Sequence, residues 1–196
     1  MKKRIRDIAE IRTGYQFRGK VEAADDANVA VIQIKDIDER LNVQVQDLLP
    51  VKLDNPEPYL VTQGDVLFLS RGHRQYAASV SEPVRNTVAT GYFFILSPDV
   101  ALVRPDFLAW SINQAEFQDA LRPYTRGTHM ALVSKSDFQN LTINLPTHAV
   151  QDRILAIQQL IDRERELTTA LQLKRGKLVE AISRELLNGR LRIKDQ

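Results

Sequence analysis

The sequence predicts an α+β domain with a mixed or antiparallel sheet and short helices, followed by one long C-terminal coiled-coil helix. Three observations carry this. Up to Pro146, short β-branched runs alternate with Gly, Pro, Asn and Asp. From Val150 to Asn188 there is no Pro and a single Gly, Gly176. Within that stretch Ile154, Ile157, Ile161, Leu171, Leu178 and Ile182 share one 3-4 heptad register. The expected parts are a domain over residues 1–146, a helix over 147–189 and a tail over 190–196.

Each element has its own signal. Strands are expected over Val29–Lys35, Val66–Ser70, Tyr92–Ser97 and Leu141–Leu145, which are rich in Val, Ile, Leu and Phe. Gly64-Asp65 and Arg71-Gly72 bracket the second of these. Pro105 sits where a helix tolerates proline, at its first position, with Asp106 in the first turn and Phe107–Ile112 behind it. Ser134-x-x-Asp137 resembles a capping box before a short helix.

The long helix ends at Asn188-Gly189, a C-cap pair. At 1.5 Å per residue it measures roughly 55–60 Å. Such a length cannot bury its apolar stripe on a domain of about 146 residues. The stripe therefore calls for a second helix, from another copy or another protein. The alternative is a helix folded back over its own domain. Glu164, Thr168 and Arg175 interrupt the seam at its middle. Antiparallel pairing of two copies sets Glu164 near Arg175 of the other copy, whereas parallel pairing sets like charge against like.

Composition narrows the function. The chain has 196 residues, 43% hydrophobic and 27% charged, which suits one compact domain with an appendage and excludes a disordered tail protein. No Cys is present, so disulfides, thiolate metal sites and Cys nucleophiles are excluded. The basic N-terminus lacks an apolar core for a signal peptide, and no run reaches the length of a membrane span. The expectation is a cytoplasmic protein without a membrane partner.

Net charge is only +2, but its distribution is uneven. Residues 1–20 carry seven Lys or Arg against Asp7 and Glu10, and residues 21–70 carry ten Asp or Glu against three basic residues. Residues 71–130 use Arg alone, at 71, 74, 85, 104, 122 and 126. Arg without Lys suits bidentate recognition of carboxylate, phosphate or guanine.

Two apparent motifs do not survive inspection. Asn55-Pro-Glu-Pro-Tyr59 resembles the Asn-Pro-Pro-Tyr loop of adenine methyltransferases, but Glu57 breaks the required contiguity and no Gly-rich turn accompanies it. Gln33-x-Lys35 on an expected strand, with Asp25 and Asp26 upstream, imitates a metal-dependent nuclease site, but three-residue matches are common in β-rich chains. His73, His129 and His148 lie at no metal-ligand spacing, and no nucleophile elbow or P-loop is present. No catalytic signature is found.

The informative segment is Gly64–Tyr76, where a strand delivers a loop with Arg71, His73, Arg74, Gln75 and Tyr76. Arg reads guanine and Gln reads adenine in the major groove, while Tyr and His reach phosphates. Gly72 allows close backbone approach. A second loop, Arg122-Pro-Tyr-Thr-Arg-Gly-Thr-His129, has the same character.

Taken with these loops, several blocks resemble one known family. They are Asp7-Ile-Ala-Glu-Ile-Arg-Thr-Gly-Tyr15-x-Phe17, Gly64-Asp-Val-Leu-Phe68 with Ser70-Arg-Gly72, and Asp106-Phe-Leu-Ala-Trp-Ser-Ile-Asn113. They continue through Gly127-Thr128-x-Met130, Leu141-Thr-Ile-Asn-Leu-Pro146 and Gln151-x-x-Ile154. In this order they resemble the specificity (S) subunit of type I restriction-modification systems. The family usually carries two target-recognition domains, each followed by a long helix; the chain has one of each and so resembles a half-length form. Thr147 stands where many relatives have a second proline.

The resemblance implies a non-catalytic subunit that binds double-stranded DNA. It implies no cofactor in this chain, with S-adenosylmethionine on a DNA adenine methyltransferase partner and ATP and Mg²⁺ on a restriction and motor partner. It also raises the expectation of an antiparallel homodimer through Ile154, Ile157, Ile161, Leu171, Leu178 and Ile182. For DNA contacts the candidates are Arg71, His73, Arg74, Gln75 and Tyr76, then Arg122, Tyr124, Arg126, Thr128 and His129. Tyr15, Arg18 and Lys20 are candidates for phosphates. Two alternatives stay open: a metal-dependent nuclease using Asp25 or Asp26 with Lys35, and a coiled-coil adaptor that binds no DNA.

Overall fold

The computed structural model describes residues 1–125 and 131–189. It divides into two units, Met1–Asp152 and the stretch from Arg153 onward. The strands are β1 (Lys2–Arg4), β2 (Ala9–Thr13), β3 (Val29–Ile32), β4 (Leu49–Val51), β5 (Leu60–Val61), β6 (Val66–Leu69), β7 (Arg71–Gly72), β8 (Ala77–Ser79), β9 (Thr87–Ala89), β10 (Phe93–Pro98), β11 (Ala131–Leu132) and β12 (Thr142–Asn144). The α-helices are α1 (Pro105–Ile112), α2 (Ala115–Leu121), α3 (Lys135–Phe138) and α4 (His148–Leu187).

Two four-stranded sheets organise the first unit. One is antiparallel in the order β2-β10-β6-β8; the other is mixed, β4-β3-β9-β5, with β3 and β9 parallel. Two-stranded ladders join β1 to β12 and β7 to β11. The α+β class read from the sequence is the class observed.

The sequence of β6 explains the layering. Val66-Leu-Phe-Leu69 is apolar at every position because both faces of the strand are covered. Leu67 and Leu69 point into a cluster with Ile32 and Ala89 of the mixed sheet and Phe93 and Ile95 of the antiparallel one. Phe68, on the opposite face, stacks on Phe138 of α3 at 4.1 Å between ring centroids, with Phe94 and Phe117 alongside. Truncating Phe138 to Ala would cost about 3–5 kcal/mol by the usual behaviour of buried aromatic residues. The far face of the mixed sheet buries Val29, Val31, Val51, Leu53 and Val88 under Tyr15, Phe17 and Tyr59.

Local signals act as expected in several places. Pro105 occupies the first position of α1 behind Arg104. The Ser134 hydroxyl accepts the Asp137 N–H at 3.1 Å to cap α3. Gly189, at φ +67°, follows the long helix.

One strand is shorter than expected. The run predicted over 29–35 leaves the sheet after Ile32, because the Asp36 carboxylate accepts the Gln33 N–H at 2.8 Å and winds Ile34–Asp36 into a 3₁₀ turn. Lys35 therefore stands on that turn and not on a strand.

The second unit is the continuation of α4, a helix of 40 residues that spans about 60 Å. Its apolar side chains stand open: Ile157 is 58% exposed, Leu171 49% and Leu178 59%. Ile161 and Ile182 are exposed as well, and Ile154 is half-buried. Charge pairs within the helix, Arg163–Glu166 at 2.9 Å and Arg165–Asp162 at 3.6 Å, support it locally. No helix among the described residues is long and apolar enough to cross a membrane.

Candidate nucleic-acid interface

Several of the sequence blocks that carry the resemblance build a frame under the loops. The Asp65 carboxylate is buried at 3% exposure. It accepts from the Thr62 N–H at 2.9 Å, from the Ser97 hydroxyl at 2.7 Å and from the Arg12 guanidinium at 3.4 Å. Arg12 also donates to the Leu60 carbonyl at 3.0 Å, so one cation ties β2, β5 and the turn before β6 together. Gly14 is obligatory by contact: a Cβ there would lie 2.2 Å from the Thr90 carbonyl oxygen.

At the end of the block in α1, Asn113 pairs with the backbone of Ala77 through both its oxygen and its nitrogen. Gln151 is fully buried; its amide donates to the Leu102 and Pro146 carbonyls and accepts the Arg104 N–H. Arg104 also pairs with Asp152 at 3.1 Å.

On this frame sits the loop that leaves β6. Its entry is fixed by Ser70, whose hydroxyl donates to the Tyr92 carbonyl at 2.8 Å and whose own carbonyl accepts the Val133 N–H. Arg71 and Gly72 then pair with Leu132 and Ala131. The second candidate loop, from Arg122, runs through residues outside the described set into β11 and so returns beside the first. Arg71, His73 and Arg74 are exposed at the surface.

Gln75 departs from its expected place as a reader of bases. It is 9% exposed, and its Nε2 donates to the Gly72 carbonyl at 3.2 Å and the Ala131 carbonyl at 3.4 Å. It braces the loop. Tyr76 is half-buried against the core shared by the two sheets. Burial raises its phenol above the usual tyrosine range, partly offset by the nearby Arg74 charge. Gly72 faces its own chain: a Cβ there would lie 3.1 Å from the Leu69 side chain.

Arg122 and Tyr124 lie in a 3₁₀ turn after α2, both exposed, with Arg122 paired to Asp119 at 2.8 Å. Arg126, Thr128 and His129 lie outside the described residues. Tyr15 packs edge-on against Phe17 and Tyr59 with ring centroids 4.8 and 5.1 Å away, which commits its ring to the core. Arg18 and Lys20 line a cleft of about 460 Å³ with Glu22, Lys52 and Leu53. Arg71 meets the 15–21 segment across a neighbouring cleft of about 140 Å³, also lined by Thr90, Gly91 and Tyr92. Thr90, Gly91 and Tyr92 carry no sequence signal; only the pairing of β9 and β10 into different sheets brings them here.

The features of the nuclease alternative are dispersed. Asp26 pairs with Lys52 at 3.5 Å, Lys35 sits on its 3₁₀ turn, and no group of three potential metal ligands occurs among the described residues. Asn55-Pro-Glu-Pro-Tyr59 forms a surface turn whose Tyr59 ring belongs to the Tyr15 cluster.

The family model for the type I restriction modification DNA specificity domain matches residues 1–174. The chain belongs to this family.

Solved structures agree in fold. The type I restriction-modification S subunit from M. genitalium superposes with a TM-score of 0.58 at 13% identity, over 95% of this chain and 45% of that one. The HsdS subunit from Thermoanaerobacter tengcongensis gives 0.66 at 18% identity, over 97% and 45%. A third structure, described as bearing on complex assembly and conformational transition of the type I R-M system, gives 0.64 at 18%, over 97% and 46%. The chain thus spans about half the length of the structures it matches. No curated protein sequence matches it significantly. Within this family of specificity domains, the blocks that carried the resemblance are those that hold Asp65, Asn113 and Gln151 in the frame.

Proposed function

We propose that the chain is a DNA sequence-recognition subunit of a type I restriction-modification complex, reading one half of a bipartite site. The observation that carries this reading is the loop after β6: exposed Arg71, His73 and Arg74 stand on a turn held from beneath by Gln75 and beside the return of the second loop. A fixed loop bearing exposed Arg forks meets the need of groove recognition, where a displaced donor loses its base.

Chemistry belongs to partners in this reading. A DNA adenine methyltransferase subunit would bring S-adenosylmethionine, and a restriction and motor subunit would bring ATP and Mg²⁺. The exposed stripe through Ile157, Ile161, Leu171, Leu178 and Ile182 supports pairing of two long helices, and the central Glu164 and Arg175 favour an antiparallel pair. Two recognition domains at opposite ends of such a pair would read an inverted repeat with a fixed gap.

The test is a binding titration with labelled duplex DNA, the chain alone and with its methyltransferase partner. The chain alone binds weakly, since net charge is +2. The assembled complex binds more tightly and loses affinity steeply with salt, as phosphate neutralisation requires. Absence of DNA binding in both states refutes the reading.

A further inference from the structure

The β7–β11 ribbon has an inner and an outer face. Gly72 pairs with Ala131, and a Cβ on Gly72 would lie 3.1 Å from the buried Leu69 side chain, so this pair faces the core. Side chains alternate between the two faces of a strand. The neighbouring pair, Arg71 and Leu132, therefore faces outward, and both residues are exposed. Val133, the next residue along, is fully buried again.

Leu132, 40% exposed, is held in place through its neighbours. The Ala131 carbonyl accepts from Gln75 Nε2 at 3.4 Å, and the Val133 N–H donates to the Ser70 carbonyl at 2.9 Å. Directly opposed residues of an antiparallel pair set their Cβ atoms about 4.5–5.5 Å apart. An apolar side chain is thus fixed beside the exposed Arg71 guanidinium, on the ribbon that carries the first candidate loop. Leucine neither donates nor accepts a hydrogen bond. Among the groups that the four bases present in the major groove, the apolar one is the thymine C5-methyl. With a rise of about 3.4 Å per base pair, Leu132 stands one or two steps from whatever Arg71 grips.

We infer that Leu132 is a specificity-determining residue that packs on the C5-methyl of a thymine in the half-site, beside the group held by Arg71. The assignment rests on the DNA-binding reading and adds to it an apolar reader outside both candidate loops.

The test uses the full chain with its methyltransferase partner and the duplex recovered by selection from a random pool. Each thymine of the half-site is replaced in turn by deoxyuridine, which keeps every hydrogen-bonding group and removes the methyl alone. At one position the wild type loses affinity about fourfold, the worth of one buried methyl group. Leu132→Ala binds the thymine and uracil duplexes equally there, and in a fresh selection it accepts other bases at that position alone. Leu132→Met stays apolar and keeps a preference for thymine. Thermal melting of free Leu132→Ala reads whether it folds, and an exposed leucine predicts a Tm close to the wild type.

A wild type indifferent to deoxyuridine at every thymine overturns the assignment and leaves the DNA-binding reading intact; this arm needs no variant. A selected half-site without an A·T pair does the same, as does a Leu132→Ala that keeps the wild-type response to uracil. A Leu132→Ala that weakens binding equally on all sequences marks packing within the ribbon and also overturns it. A wild type that selects no sequence overturns both.

Discussion

Asn113 and Ala77 hold each other as two residues of neighbouring strands would. The Asn113 Oδ1 accepts the Ala77 N–H at 2.9 Å, and its Nδ2 donates to the Ala77 carbonyl at 2.7 Å. One side chain thus closes the edge of β8 and fixes the residue at which the 71–76 loop rejoins the sheet.

Asn113→Ala leaves both backbone groups of a fully buried residue unpaired. The expected cost is about 2–3 kcal/mol, read as a lower urea midpoint with the slope unchanged. Asn113→Asp keeps the acceptor but turns a carboxylate oxygen onto the Ala77 carbonyl, so at neutral pH it is expected to be no more stable than Asn113→Ala.

Gln151 makes three hydrogen bonds at 0% exposure, to Leu102, Pro146 and Arg104. Gln151→Leu conserves volume but strands two carbonyls and an N–H. Chemical denaturation of the variant is expected to show a loss of about 2–4 kcal/mol, larger than that of the exposed neighbouring pair removed by Asp152→Ala.

Tyr76 gives a pH dependence with a definite sign. Burial raises its phenol above the unfolded value near 10, so the folded chain holds the proton that the unfolded chain releases. This contribution is fully present below about pH 10 and is lost as pH rises through the folded value. In alkaline thermal melts, Tyr76→Phe should show a shallower fall in Tm above pH 10 than the wild type. An identical fall in both proteins would mean that the ring stays solvated.

The long helix acts as a spacer in the proposed dimer. Insertion of one heptad after Leu167 preserves the seam and lengthens each helix by about 10 Å. The preferred gap between half-sites should widen by about three base pairs at 3.4 Å each. Charge reversal offers a second check: Glu164→Arg weakens the dimer in sedimentation, and the added Arg175→Glu restores it, if the pairing is antiparallel.

Much of the frame could be read along the chain, because it rests on local chemistry. Pro105, Ser134 and Asn188-Gly189 mark helix ends within a few residues of themselves. Val66–Leu69 is apolar throughout, as a strand covered on both faces must be. What the sequence hid depends on distant partners. β7 and β11 are two residues each and carry no period. Yet their pairing brings the Gln75 side chain inward onto the carbonyl of Ala131, 56 positions away. Thr90 is likewise silent in sequence, since it comes to line one cleft with Tyr15 and Arg71 only once distant segments have folded together. The Val29 strand ends earlier than its β-propensity suggests, because Asp36 diverts the chain by a side-chain bond that propensity does not register.

The most direct test of DNA recognition is selection of bound sites from a random duplex pool by the complex with its methyltransferase partner. The wild type should enrich one inverted repeat with a fixed gap. Arg74→Ala should relax one base position in each half-site, at about 1–3 kcal/mol against the preferred base. Gln75→Ala should lower stability and broaden the whole half-site without freeing a single position. A wild type that enriches no sequence, or an Arg74→Ala whose selected site is unchanged, would contradict the account.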